Sequence, residues 1–247
     1  MRNLHLGAIG WSYNFWKGKF YPNKVASKEF LAHYATKFDT VEVDSTFYRI
    51  PTAQAVTKWE SQTPGNFLFS FKFPRVITHI KMLKDCERET NLFLERTNQV
   101  GGKLGALLLQ FPPNFGVDRF SDLADFLKML PKTHRYVVEV RDERWLNSDF
   151  YSLLRANGVV LAWVDSPSMP QSDVVTSDFL YIRLEGDRSK VKGTLGTIEA
   201  NKAEGLKMWA EKITPFLTKN MEIFGYFGKY FSGYPPSDVI SLSRLLG

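Results

Sequence analysis

A single cysteine, Cys86, stands in 247 residues, so no disulfide within the chain can staple it. Long apolar runs are also missing. The stretch from Ala106 to Phe111 is interrupted by Gln110 and stopped by Pro112, well short of the roughly 18 residues a membrane span needs. The four histidines, His5, His33, His79 and His134, are dispersed, and no HxxxH, HExxH or CxxC spacing occurs, which removes the usual transition-metal frameworks. Neither GxGxxG nor GxxxxGK[ST] is present, so dinucleotide and P-loop chemistry are disfavoured and no organic cofactor is predicted. The 17 glycines and 12 prolines are scattered and mark no linker, which predicts one domain over residues 1 to 247. Met1 and Arg2 run straight into Leu4-His5-Leu6 without an apolar leader, and the expectation is a cytoplasmic protein.

What is there is apolar surface. With 44% hydrophobic, 15% aromatic and 23% charged residues the chain can bury a sizeable core, which excludes a disordered or collagen-like protein. The net charge of +6 is spread among alternating signs, so a nucleic-acid partner is a secondary expectation and a basic arm is absent.

Eight short segments rich in Val, Leu, Ile and aromatics read as strands, at 4 to 10, 40 to 45, 66 to 73, 104 to 110, 135 to 141, 159 to 165, 179 to 185 and 221 to 227. Several are apolar at consecutive positions, as strands covered on both faces must be. Amphipathic helices are predicted between them, near 27 to 38, 53 to 61, 91 to 100, 120 to 130, 148 to 156, 198 to 217 and 237 to 246, with Asn157-Gly158 as a C-cap. Between Asp165 and Phe179 the prolines Pro167 and Pro170 leave room for a single turn at most. The pattern predicts an α/β fold, a (β/α)8 TIM-like barrel with its sixth helix short or missing; an open doubly wound sheet is the other arrangement compatible with it.

In such a barrel the chemistry sits where strands end. Polar residues two apart share a face: Glu42 with Asp44, Ser70 with Lys72, Glu139 with Arg141, and Arg183 with Glu185. Gln110, Asp165 and the opening Trp11-Ser12-Tyr13 stand at the ends of other strands. The expectation is one polar mouth; internal ion pairs that fix strand register are the plainer reading of any single pair.

Gly10-Trp11-Ser12-Tyr13, Trp16-Lys17-Gly18, Phe20-Tyr21-Pro22 and the run from Thr40 to Arg49 carry a family resemblance. Phe71-Lys72, Thr78-His79, the run from Leu108 to Pro113, Glu139-Val140-Arg141 with Trp145, and the run from Tyr181 to Gly186 extend it over nearly the whole length. The chain resembles the "domain of unknown function 72" family, also called YecE-like. That resemblance implies a TIM-like barrel with a pocket and names no reaction. The chain departs from the family pattern at Asp44, where Asn is usual, and at Gly228-Lys229, where an Asn-Asn pair is frequent.

The leading functional expectation is an enzyme, a hydrolase, isomerase or lyase, doing acid/base chemistry on a small polar anion of sugar or nucleotide type. Its catalytic candidates are Glu42, Lys72, His79, Glu139 and Asp165. Substrate-binding candidates are Trp11, Tyr13, Asp44, Tyr48, Gln110, Arg141 and Arg183. No metal ligand is assigned, although Glu42, Glu139 and Asp165 leave a divalent Mg or Mn site open. Loop seven, Gly186 to Gly193, and loop eight, with Gly225, Gly228, Lys229, Ser232 and Gly233, suggest a phosphate site or an ordinary solvated loop. The entrance aromatics Trp11, Tyr13, Phe15, Trp16, Phe20, Tyr21, Phe47 and Tyr48 suit a stacking wall or rim packing. The other expectations are a nucleic-acid-associated binding protein and a non-catalytic small-molecule sensor.

Overall fold

The computed structural model describes residues 3 to 247. Nine parallel strands form two sheets. One has the order β1 (Leu4–Ala8), β9 (Glu222–Tyr230), β8 (Phe179–Gly186), β7 (Trp163–Asp165). The other runs β2 (Thr40–Val43), β3 (Leu68–Lys72), β4 (Leu104–Gln110), β5 (Tyr136–Glu139), β6 (Val160–Leu161). The α/β class and the parallel pairing follow the sequence expectation, while the strands group as two sheets where one closed ring is predicted. The division has two local causes. The sixth predicted strand breaks at Ala162, so β6 pairs with β5 and β7 pairs with β8. At the other boundary β1 and β2 share one bridge, Ile9 with Glu42.

A side-chain hydroxyl spans the first boundary, and at the second a hydroxyl from the segment leading into β8 caps the free edge of β6. At the first, Ala8 N–H donates to Tyr34 Oη at 2.7 Å, and that hydroxyl donates to the Thr40 carbonyl at 3.0 Å. Gly7 fits there because a Cβ would lie 2.2 Å from the Thr40 oxygen. At the second, Leu161 N–H donates to Thr176 Oγ1 at 2.8 Å, and Thr176 donates to the Val159 carbonyl at 2.7 Å. Backbone groups that a continuous ladder would pair are thus satisfied by inserted oxygens.

Helices α1 (Phe30–Tyr34), α2 (Ala53–Ser61), α3 (Glu87–Thr97), α4 (Phe120–Met129), α5 (Ser148–Asn157), α6 (Ala203–Leu217) and α7 (Pro235–Leu246) separate the strands. Thr52 caps α2, Asn147 caps α5, and Gly158 ends α5 at φ 65°, the left-handed conformation a C-capping glycine supplies. Residues 166 to 178 hold no helix, as the two prolines require. The helix expected from 198 starts at Ala203 instead, because Glu199 is drawn back to the backbone of loop seven. α3 begins four residues earlier than the apolar pattern predicts, its first turn being carried by Glu87 and Glu89, which suit a helix N-terminus. Among the described residues no helix is long and apolar enough to cross a membrane.

Alternate side chains of each strand meet in different places. Leu107, Leu109, Val138, Ile182 and Phe227 pack with helix residues such as Phe126, Leu154 and Trp209. Leu108, Val137, Val164, Tyr181, Phe224 and Tyr226 pack together in a second cluster that draws on both sheets. Within it the Tyr226 hydroxyl reaches Thr40 at 2.7 Å and Ser70 at 2.8 Å.

At the amino ends of the strands His5 stacks on Phe224, 5.1 Å between centroids, with Asp39 at 3.0 Å and Glu222 at 3.5 Å. Burial alone pushes its imidazole down, but the two carboxylates prevail and raise it to about 9. A group raised in the folded state stabilises fully below its ordinary value, and that contribution fades as pH climbs through the folded one. His5→Gln should therefore cost most stability near pH 6 and progressively less towards pH 10, read by urea unfolding. In the same assay Tyr34→Phe and Thr176→Val should each lose about 1–3 kcal/mol, since each orphans a buried N–H and a buried carbonyl. Unchanged midpoints would mean that water replaces the hydroxyls.

Candidate functional site

Arg183, 2% exposed on β8, is the centre of the site. Its guanidinium donates to both oxygens of Glu42, Nη2 to Oε1 at 2.8 Å and Nε to Oε2 at 2.9 Å, in the bidentate geometry that fits a carboxylate. Nη1 donates to Glu139 Oε2 at 2.6 Å and to Glu185 Oε1. The Tyr181 hydroxyl donates to Glu42 Oε2 at 2.8 Å. Arg141 closes the network from the end of β5, its Nε donating to Glu139 Oε1 at 2.7 Å and its Nη2 to Glu185 Oε2 at 2.5 Å. All four oxygens of Glu42 and Glu139 are taken, and both side chains are buried.

That finding revises two expected roles. Glu42 and Glu139 were predicted to face a wet mouth as acid and base, but the structure seals them in an ion-pair network because only such pairing compensates Arg183 for lost hydration. Burial pushes the Glu42 carboxyl up, against the pull of Arg183. Glu185 differs: burial would raise it, but Arg183 and Arg141 hold it at about 2, so it stays ionised.

Above this buried tier lies a second, partly exposed one. The turn after β2, Asp44–Phe47, is pinned to the end of β3 by Thr46 Oγ1, which lies 2.7 Å from both the Val43 and the Lys72 carbonyl oxygens. The pin sets Asp44 Oδ1 3.2 Å from Lys72 Nζ and the Phe47 ring 4.2 Å from that ammonium. The other side of Phe47 meets His79, 4.8 Å between ring centroids. His79 belongs to a wide turn, Val76–Ile80, and its Nδ1 is 2.8 Å from Thr78 Oγ1. Burial, then the charges of Lys72, Arg75 and Arg141, lower its imidazole to about 4, so it is neutral at physiological pH. The segment that follows holds Met82 (φ 46°), Leu83 (φ 71°) and Asp85 (φ 46°) in left-handed conformations costly for side-chain-bearing residues.

The remaining candidates divide. Tyr48 is 69% exposed at the rim. Tyr13 donates its hydroxyl to the Ile9 carbonyl at 2.7 Å; burial and the nearby Asp44 and Glu42 charges keep it protonated. Trp11 packs edge-on against Trp59 at 5.7 Å, while Trp16 and Tyr21 are fully enclosed, so much of the aromatic entrance is rim packing. Gln110 lies level with Glu139 in the sheet and turns its amide to the Phe111 carbonyl. Asp165 leaves the group altogether. Val164 is the residue level with Arg183, so Asp165 faces the opposite side and accepts from Trp209 Nε1 of α6 at 2.8 Å.

The structure therefore does not assemble Glu42, Glu139 and Asp165 as one ligand set, and among the described residues no group of three or more His, Cys, Asp or Glu side chains is arranged for a metal ion. Loop seven is likewise engaged. Lys192 N–H and Gly193 N–H donate to Glu199, both at 2.8 Å, and Ser189 N–H donates to Asp187 at 2.9 Å. Backbone donors that suggested a phosphate site already hold carboxylates of the chain itself. Glu185 and Phe47 belong to the groups that strand parity and the entrance aromatics single out, whereas Tyr181 and Thr46 are not among the sequence candidates. Tyr181 was detectable, since it precedes Arg183 at the two-residue spacing of one strand face.

Comparisons with known proteins agree on one family. A family model described as "Protein of unknown function DUF72" matches residues 5–247. The "UPF0759 protein YecE" of Escherichia coli strain K12 is 38% identical over 111 residues, 45% of this chain and 41% of that protein. The "UPF0759 protein YunF" of Bacillus subtilis strain 168 is 27% identical over 186 residues, 70% of this chain and 64% of that one. The matched region thus spans less than two thirds of either relative. Among solved structures, a DUF72 family protein of Thermotoga maritima superposes with a TM-score of 0.81 at 24% identity, covering 98% of both chains. A DUF72 family protein of Enterococcus faecalis gives 0.77 at 21% identity, covering 98% of this chain and 97% of that one, and likeness at such identity speaks to the fold. With its family signature running from His5 to the last residue, the chain belongs to the DUF72 family.

Proposed function

We propose that the two sheets are halves of one closed (β/α)8 barrel, and that its carboxyl-terminal mouth is the active site of an enzyme acting on a small polar anion. Support for closure comes from the Tyr34 hydroxyl between β1 and β2 and from the second cluster, which draws side chains from both sheets. Arg183 adds to it by pairing across the sheets with Glu42 and Glu139.

The observation that carries the functional reading is the upper tier: Lys72, Asp44 and neutral His79 gathered around Phe47 over a rigid ionic floor. In this reading Lys72 and Arg141 hold the anion. Lys72 keeps donors beyond its one bond to Asp44, and Arg141 Nη1 meets no acceptor among the described residues. Asp44 accepts or returns a proton, and His79, uncharged, supplies a hydrogen bond without repelling the two cations beside it. The buried Glu42–Arg183–Glu139 layer positions Arg141 and leaves the substrate untouched.

A panel of phosphorylated and carboxylated sugars, screened by thermal shift and calorimetry, tests this. At least one should raise the melting temperature, and Lys72→Met should weaken it at least about tenfold, the size of a lost charge-assisted bond. Asp44→Asn should abolish turnover while largely retaining affinity. Because His79 stays neutral above about pH 4, its variant His79→Ala should lower turnover equally from pH 6 to 9. Binding that survives Lys72→Met removes the assignment. Affinity for oligonucleotides with steep salt dependence would favour a nucleic-acid partner instead.

A further inference from the structure

A second concavity lies between α6 and α7, and it shares no residue with the mouth. It has a volume of about 560 Å³, within the range of pockets that take drug-sized molecules. Its walls are largely apolar, with Ile198 from the segment before α6, Leu206 from α6 and Leu245 from α7. Ile198 and Leu245 are 58% and 48% exposed, although the rest of the chain has ample core in which to bury such side chains.

The floor is polar and unusual. Asp238, 3% exposed, accepts one hydrogen bond on Oδ2, from Ser232 Oγ at 2.6 Å. Among the described residues no donor reaches Oδ1 and no cation comes within ion-pairing distance. A carboxylate that deeply placed is ordinarily met by two or more donors, as Glu42 and Glu139 are here. Burial pushes its carboxyl up to about 7, against Ser232 and the charge of Lys202. The rim carries Lys202, Lys207 and Arg244. Lys207 leans on Glu204 at 2.8 Å, whereas Lys202 and Arg244 form no ion pair among the described residues.

We propose that this crevice binds an amphipathic organic acid, with its apolar body along Leu206 and Leu245, a hydroxyl donated to Asp238, and its acidic head at Lys202 and Arg244. Each part of the ligand answers one feature: the unmet carboxylate oxygen, the apolar walls and the unpaired cations. The proposal stands apart from the reading of the mouth.

Calorimetry with ω-hydroxydecanoate and decanoate tests it. The hydroxy acid should bind about tenfold more tightly than decanoate, the value of a hydrogen bond to a charged acceptor, and Asp238→Asn should shrink that ratio. Ala203→Trp fills the cavity from an exposed position and should abolish binding of both acids, while Arg244→Glu should weaken both about tenfold. These two exposed variants keep the test valid if Asp238→Asn fails to fold. Lys72→Met should leave binding unchanged, which separates this site from the mouth. Equal affinity for the two acids, no binding of either, or binding that Ala203→Trp does not reduce would overturn the proposal.

Discussion

A guanidinium taken almost wholly out of water imposes its needs on everything around it. Removing Arg183 from solvent costs several kcal/mol, and its attraction to carboxylates offsets that only where nearly every N–H is matched. Here two matching groups arrive from distant parts of the chain, Glu42 on β2 and Glu139 on β5, and Glu185 follows two residues on along β8 itself. Opening one of these pairs would leave an uncompensated buried charge, worth about 3–5 kcal/mol. The arginine therefore joins the two sheets at the carboxyl ends of their strands. The hydroxyl of Tyr34 joins them along the edges of β1 and β2.

The same constraint sorts the polar residues into those that can react and those that cannot. Glu42 and Glu139 spend their lone pairs on arginine and tyrosine donors, so neither is free to take a proton from a substrate. Their service is geometric: Glu42 fixes the plane of Arg183, and Glu139, with Glu185, fixes that of Arg141. Exposure increases by one residue pair along the strand faces, from buried Glu42 to half-buried Asp44 and from buried Glu139 to half-buried Arg141. Asp44 brings a charge that pairs with Lys72 at 3.2 Å.

Much of this was legible beforehand because strand parity is a local property. Glu42 with Asp44, Glu139 with Arg141 and Arg183 with Glu185 could each be assigned to a shared face from spacing alone, and each pair meets at one end of the sheets. Parity does not say which face is inward. Asp165 shows the difficulty: the apolar residues before it are alike on both sides, and the level of Val164 with Arg183 decides that Asp165 turns to Trp209. Burial depth was equally hidden, since a charged residue at a strand end has the same spelling whether it meets water or another charge. Loop seven failed for a third reason. Its backbone donors looked available until Glu199, several residues downstream, folded back onto them, a contact that no local pattern encodes.

His79 brings these threads together. Partial burial penalises a protonated imidazole at His79, and Lys72, Arg75 and Arg141 beside it would repel the further positive charge. Neutrality thus follows first from burial and then from the neighbouring cations, Lys72 and Arg75 ahead of the Arg141 that the carboxylates hold in place. Left-handed backbone at Met82, Leu83 and Asp85 follows directly on the turn that presents it, and among the described residues Asn220 is the one other non-glycine with such geometry. A conformation costly for a leucine persists only where surrounding contacts outweigh it, and here they include Leu83 N–H donating to the Ile77 carbonyl at 3.0 Å, with Leu83 buried in the core. The fold accepts that cost directly after the turn that sets an uncharged histidine against the Phe47 ring, whose other neighbour is the Lys72 ammonium.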